Sequence, residues 1–214
     1  MSRLTGWLVA LPPVARWSIA GAGALLGALV AGTGIWSFLE QREASARHAL
    51  AAASATYRHT MTTRQEAQLA EAASALQKFL REHPRSAGAA QGSYLLGNVE
   101  YERRNLDAAR QAYEAAAQRD TGSIAALSRL GLAYVWEAKG DPAQALGAYN
   151  QALERRGPKD FLYAELLLGK ARMQEQLSKR DEAIQTYRTL LSDVPDSPQS
   201  DDVRIRLAML GAGP

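Results

Sequence analysis

Three times along this chain a Leu-Gly pair is followed by an Ala and then, four residues further on, by a Tyr. Leu96-Gly97 leads to Ala109 and Tyr113, and Leu130-Gly131 leads to Ala145 and Tyr149. Leu168-Gly169 leads to Ala183 and Tyr187, with Pro195 closing the unit. The glycines stand 34 and 38 positions apart. A recurrence of that length marks a repeated supersecondary unit. Each unit reads as a helix, a tight turn and a second, antiparallel helix. The Gly of the first helix leaves room for the second to cross closely, and the Ala fills the small space opposite. The Tyr, one turn beyond the Ala on the same helix face, fills the larger gap. One hairpin cannot bury its apolar stripe alone, so the hairpins must stack into a solenoid.

Composition agrees with an all-α chain. Hydrophobic residues make up 47% of the 214, yet aromatics only 7%, and Ala, the best helix former, is abundant among the rest. No stretch alternates apolar and polar residues over strand length. The absence of Cys excludes disulfides, thiol nucleophiles, Cys-based zinc sites and an acylated Cys. The net charge of +3 leaves the chain close to neutral once Arg3 and Arg16, near the amino terminus, are set aside. No basic stripe with interleaved aromatics is present, so nucleic acid is not an expected partner.

Taken in order, residues 1–16 form a short tail with Pro12-Pro13. Residues 17–39 then carry no charge, with Trp17 and Trp36 near the two ends. That length spans about 34 Å as a helix, enough to cross a ~30 Å hydrocarbon core, and indoles favour its interfaces. We therefore expect one transmembrane helix over 17–39, giving the chain membrane lipid as a partner. Ala44-Ser45-Ala46 resembles a signal-peptidase site, but the apolar run is too long for a signal peptide, and Glu40, Arg42 and Glu43 intervene. Gly23, Gly27 and Ala31 form a small-residue ridge suited to close helix packing in lipid, which would allow a homodimer or docking on another membrane protein.

Residues 40–89 read as a helical stalk and a degenerate first hairpin, broken at Thr62-Thr63. Three clear hairpins follow over 90–197, the second and third with inner turns two residues longer than the first. Gly140-Asp141-Pro142 serves as turn and helix start. Residues 198–214 supply a capping helix with Val203, Leu207 and Leu210 inward, and a frayed tail.

Catalytic and cofactor patterns are missing. His48, His59 and His83 form no ligand set, and His48 and His59 are about three helical turns apart. There is no phosphate-binding Gly loop, and Gly21-x-Gly23 lies in the apolar run. We expect no enzyme, no cofactor and no metal.

The Leu-Gly, Ala, Tyr and Pro positions resemble the tetratricopeptide repeat (TPR) pattern over about 90–197. In TPR stacks the first helix of each pair lines a concave groove. The resemblance thus implies groove positions at Tyr94, Asn98, Tyr101, Glu102, Ser128, Leu132, Val135, Trp136, Lys170 and Met173, with Tyr101, Val135, Trp136 and Met173 as an apolar strip. Such a groove suits an extended or helical peptide; alternatively these residues contact neighbouring repeats or the inner turns. The whole layout, from short tail and single span to TPR-like repeats and a cap beginning Pro198-Gln199-Ser200, resembles the YfgM-like family of bacterial inner-membrane proteins. That resemblance implies a periplasmic carboxy-terminal domain and an ancillary role at the Sec translocon, beside the periplasmic chaperone PpiD. Two other roles fit the same layout: a TPR scaffold for cytochrome biogenesis or outer-membrane machinery, and a structural, self-associating membrane anchor.

Overall fold

Helix follows helix along the computed structural model, which describes residues 13–63, 65–154 and 156–213, with side chains from residue 26 onward except that of residue 63. The helices are α1 (Pro13–Thr63), α2 (Glu66–Glu82), α3 (Ala89–Glu102), α4 (Leu106–Arg119), α5 (Ser123–Ala138), α6 (Pro142–Leu153), α7 (Tyr163–Gln176), α8 (Arg180–Asp193) and α9 (Ser200–Met209). No strand occurs among the described residues. The chain divides into two compact units, 1–47 and 48–214.

The first unit holds the amino-terminal part of α1. Leu26, Leu29, Val30, Ile35, Trp36, Phe38 and Leu39 are all exposed, and the Arg42 guanidinium lies 5.8 Å from the Phe38 ring centre. Among the described residues no helix is long and apolar enough to cross a membrane. Residues 17–25 of the expected span, Gly23 included, lie outside the described side chains. A Cβ on Gly27 would meet nothing within 4 Å, and Ala31 is exposed.

In the second unit four hairpins pair α1 (from residue 48) with α2, α3 with α4, α5 with α6, and α7 with α8. Consecutive helices from α2 onward pack in sequence, and α3 also packs directly on α5. The repeat mechanism is visible at the tyrosines. A Cβ built on Gly97 would sit 2.5 Å from the Tyr113 ring, and one on Gly131 would sit 2.6 Å from the same ring. Tyr113 is thus wedged between the glycine of its own hairpin and that of the next. Tyr149 lies against Gly169 in the same way, and Phe79 of α2 against Gly92, where a Cβ would be 2.6 Å away. Ala109, Ala145 and Ala183 are completely buried opposite, as expected from the sequence.

The inner turns correct one expectation. All three turns are three residues long: 103–105, 139–141 and 177–179. The two additional residues of the later hairpins extend the first helix instead: α3 ends five residues after its glycine, whereas α5 and α7 end seven after theirs. Each turn needs one left-handed residue, Arg104 (φ 61°), Gly140 (φ 72°) or Ser178 (φ 60°), so turn length is set by that geometry. Only Gly adopts this conformation without steric cost. Ser178→Gly is therefore expected to raise the melting temperature, by about 1 kcal/mol of stability, while Gly140→Ser lowers it by a similar amount. Thermal denaturation of both variants checks the pair.

Asp141 caps α6 as expected, its carboxylate accepting from the Gln144 N–H at 3.0 Å with Pro142 behind it. Val203 and Leu207 of α9 cover the end of the stack against Tyr187 and Leu190. The tail is not frayed over 211–213. Gly211 (φ 66°) accommodates a turn in which the Ala212 N–H bonds to the Leu207 carbonyl at 2.9 Å, and Arg188 donates to the Gly213 carbonyl at 3.1 Å.

Candidate protein-binding face

Polar side chains join α1 to α3, α5 to α7 and α7 to α9. Asn98 of α3 donates to the Tyr57 hydroxyl of α1 at 3.1 Å and accepts from the Tyr113 hydroxyl at 2.7 Å. Tyr134 of α5 donates to Glu165 of α7 at 2.9 Å. Glu137 of α5 takes Arg172 of α7 through both oxygens, at 3.0 and 3.1 Å, and Arg206 of α9 reaches Glu175 of α7 at 3.3 Å. The same two glutamates also accept the hydroxyls of Tyr149 and Tyr187 from the second helices. Glu137 and Glu175 stand in the extra half-turn of α5 and α7. The shorter α3 has no counterpart, so Tyr113 bonds to Asn98 instead.

Along this first-helix face the expected residues divide. Tyr94, Asn98, Tyr101, Leu132, Trp136 and Lys170 are half-buried and keep accessible surface. Tyr94 lies 6.1 Å from Tyr113, centre to centre. Tyr101 and Leu132 rest on the cluster of Ala109, Tyr113 and Val135. Trp136 rests on the core between α5, α6 and α7, with the Lys139 ammonium 5.2 Å from its ring centre. Lys139 is itself held by Asp107 at 2.5 Å. By contrast, Ser128, Val135 and Met173 are at most 1% exposed and fill the junctions between helices. The apolar strip expected from Tyr101, Val135, Trp136 and Met173 is therefore reduced to Tyr101 and Trp136, joined by Tyr94 and Leu132. Tyr101, Val135 and Met173 each stand four residues after a repeat glycine. That position points into the junction, and in α3 the larger Tyr keeps one edge at the surface.

The sequence reading did not assign Tyr57, Glu137, Arg172, Glu175 or Arg206 to this framework. A legible signal existed: Glu137 to Tyr149 and Glu175 to Tyr187 are both 12 residues. Burial raises the Tyr149 and Tyr187 pKa values, and hydrogen bonding to Glu137 and Glu175 raises them further. Burial, together with the neighbouring Tyr94 and Tyr57, does the same for Tyr113. These phenols keep their protons in the fold while the unfolded chain loses them near pH 10. The native state then binds more protons than the unfolded one, so their stabilisation is fully present below about pH 10 and is lost as pH rises beyond it. We expect a steep fall in melting temperature above pH 10, made shallower by Tyr149→Phe; melting curves between pH 8 and 11.5 check this.

Chemically, the face offers aromatic ring surfaces, one positioned amide and a few cations, which are means of holding polypeptide. Among the described residues no three His, Asp or Glu side chains converge as a metal site requires.

The sequence matches none of the curated proteins. Its fold is similar to that of a tetratricopeptide repeat protein from Parabacteroides merdae, with a TM-score of 0.59 and 19% identity over 74% of this chain and 58% of that one. It is also similar to BtubC (BKLC) from P. vanneervenii, with a TM-score of 0.61 and 16% identity over 80% and 82% of the two chains. YrrB, a TPR protein with an unusual peptide-binding site, gives a TM-score of 0.52 and 17% identity over 72% and 73%. The chain thus spans 58% of the Parabacteroides protein's length. The family model for the tetratricopeptide repeat-like domain matches residues 15–212, nearly the whole sequence, and the glycine–tyrosine hairpins fold as that pattern requires, so this chain belongs to the tetratricopeptide repeat-like domain family.

Proposed function

We propose that this chain is a membrane-anchored adaptor that holds protein partners on its first-helix face, as an ancillary factor of the Sec translocon and its periplasmic chaperone network. The observation that carries the reading is the half-burial of Tyr94, Tyr101, Leu132 and Trp136 along the first helices α3 and α5, with the positioned amide of Asn98 on the same stripe of α3 as Tyr94 and Tyr101. Aromatic surface rimmed by polar groups, with Lys170 beyond it, is the usual composition of a protein-binding patch. The uncharged run 17–39 supplies the tether, and the likeness to the YfgM-like layout supplies the setting: a single pass through the bacterial inner membrane with the hairpins in the periplasm. Tethering raises the effective concentration of the face near membrane partners. Within the bilayer, the ridge of Gly23, Gly27 and Ala31 offers a packing surface for a second copy or another membrane helix.

A photo-cross-linking residue at Tyr101, with a control at the exposed Gln118, tests the reading in cells. Cross-links from Tyr101, and not from Gln118, to translocon subunits or the periplasmic chaperone are expected. Cross-links only to haem-maturation or outer-membrane assembly proteins would overturn the translocon assignment, and only self-cross-links would leave a structural anchor. A topology reporter fused after Pro214 is expected to be active in the periplasm; cytoplasmic activity would overturn the placement. Trp136→Ala should weaken capture of the cross-linked partner about tenfold, the scale of one ~1.4 kcal/mol aromatic contact, while cooperative unfolding is retained. Unchanged capture would remove Trp136 from the binding face.

A further inference from the structure

Each of the three clear hairpins has a location between its second helix and the preceding second helix, floored by its first helix. Between α2 and α4, over α3, lies a slot of about 270 Å³. Its floor is Ser93, Leu96 and Glu100, and one wall is the row Ala108, Ala112 and Ala115. These residues lie on a different stripe of α3 from Tyr94, Asn98 and Tyr101. Counted from the repeat glycines, Ser93 and Glu100 of α3 correspond to Leu127 and Tyr134 of α5, and to Glu165 and Arg172 of α7. Leu127 and Tyr134 pack on the core, and Tyr134, Glu165 and Arg172 are engaged in the bonds between α5 and α7. Counted from the repeat alanines, the Ala row of α4 corresponds to Gln144, Ala148 and Gln151 of α6, and to Glu182, Thr186 and Thr189 of α8. Ser93 and the alanine row are small where most of their counterparts are long, and space remains between them; Arg119, which also lines the slot, donates to the Ser93 hydroxyl at 3.3 Å.

The volume lies below the roughly 300–1,000 Å³ of small-molecule pockets and suits a single inserted side chain. Its polar end is Glu100, only 3% exposed, whose carboxylate accepts from Asn105 at 2.8 Å and Arg103 at 3.2 Å through Oε2. Oε1 has only the long 3.4 Å contact to Arg103, leaving acceptor capacity. Three times elsewhere this fold satisfies a glutamate with a tyrosine hydroxyl: Tyr134 to Glu165, Tyr149 to Glu137 and Tyr187 to Glu175. We propose that the slot is a second docking site, separate from the first-helix face, that receives a tyrosine side chain of a partner polypeptide, its ring along the alanine row and its hydroxyl donating to Glu100.

The probe is 4-methylphenol, the tyrosine side-chain analogue, titrated into the full-length protein with labelled alanine and leucine methyl groups. Saturable shifts are expected at the methyls of Ala108, Ala112, Ala115 and Leu96. Toluene, which lacks the hydroxyl, should bind about threefold more weakly or worse. Ser93→Leu, which copies Leu127, should weaken binding by at least about tenfold by filling the slot. Ala115→Leu, at the half-buried edge, should do the same should Ser93→Leu fail to fold. Shifts spread evenly over all methyls, no shifts at the four named, equal binding of toluene, or wild-type binding by a folded slot-filling variant would each overturn the proposal. Tyr101→Ala should leave the titration unchanged, so failure of the slot and failure of the first-helix face are read separately.

Discussion

Replacing Gly131 by Leu is expected to cost at least about 3 kcal/mol and to lower the melting temperature by roughly 6–12 °C. The Cβ alone would lie 2.6–2.8 Å from three atoms of the Tyr113 ring. That ring cannot swing aside. It is 4% exposed, its hydroxyl is held by Asn98 at 2.7 Å, and its other face meets Gly97, where a Cβ would be 2.5 Å away. The helices must separate, and α4 and α5 lose the contact that joins two hairpins. Gly147 on α6 provides the control, because a Cβ there would meet nothing within 4 Å. Gly147→Ala should instead stabilise the chain by up to about 1 kcal/mol, through helix propensity alone. Thermal or urea unfolding of the two variants should thus shift in opposite directions. Equal stabilities for Gly131→Leu and the wild type would contradict the wedge described for Tyr113.

Glu137→Ala is expected to destabilise by about 2–3 kcal/mol, the second largest effect. One carboxylate, its side chain 23% exposed, serves both the hydroxyl of the fully buried Tyr149 and the guanidinium of Arg172 on the next first helix. Burial alone would lower the Arg172 pKa, but Glu137, together with Tyr149 and Glu165, more than offsets this and raises it, so the guanidinium stays charged and needs its partner. Removing the carboxylate strands two donors. Tyr149→Phe removes one donor and leaves the ion pair, so it should cost only about 1 kcal/mol. A double-mutant cycle of Glu137→Ala with Arg172→Met should give a coupling of about 1 kcal/mol or more. The exposed pair Arg204–Asp201, with side chains 49% and 93% exposed, should lose no more than about 0.5 kcal/mol on Arg204→Ala. A coupling near zero at Glu137 would reduce the link between α5 and α7 to packing alone.

These two cases also mark how far the primary structure could be read. The wedge follows from residue types at a fixed spacing: a glycine, an alanine and a tyrosine recur because each hairpin needs the same space filled. Helix order, the Asp141–Pro142 start of α6 and the buried Ala109, Ala145 and Ala183 follow from local propensity and period, which depend on near neighbours in the chain. The Glu137 link depends on α5, α6 and α7 at once, and only its 12-residue spacing to Tyr149 was visible beforehand.

Where side-chain volumes from several helices meet, tertiary structure decided the outcome. Tyr101, Val135 and Met173 hold the same repeat position, yet one reaches the surface and two are sealed in junctions. The two additional residues of the later hairpins entered the first helices and not the turns, because a three-residue turn with one left-handed residue already closes each hairpin. The open slot beside Ser93 exists because side chains of α2, α3 and α4, the alanine row of α4 among them, meet around one space. Periodicity and propensity act over a few residues and can be read along the chain. Which of two equivalent positions stays open is set by the volumes opposite it, and only the packed hairpins bring those together.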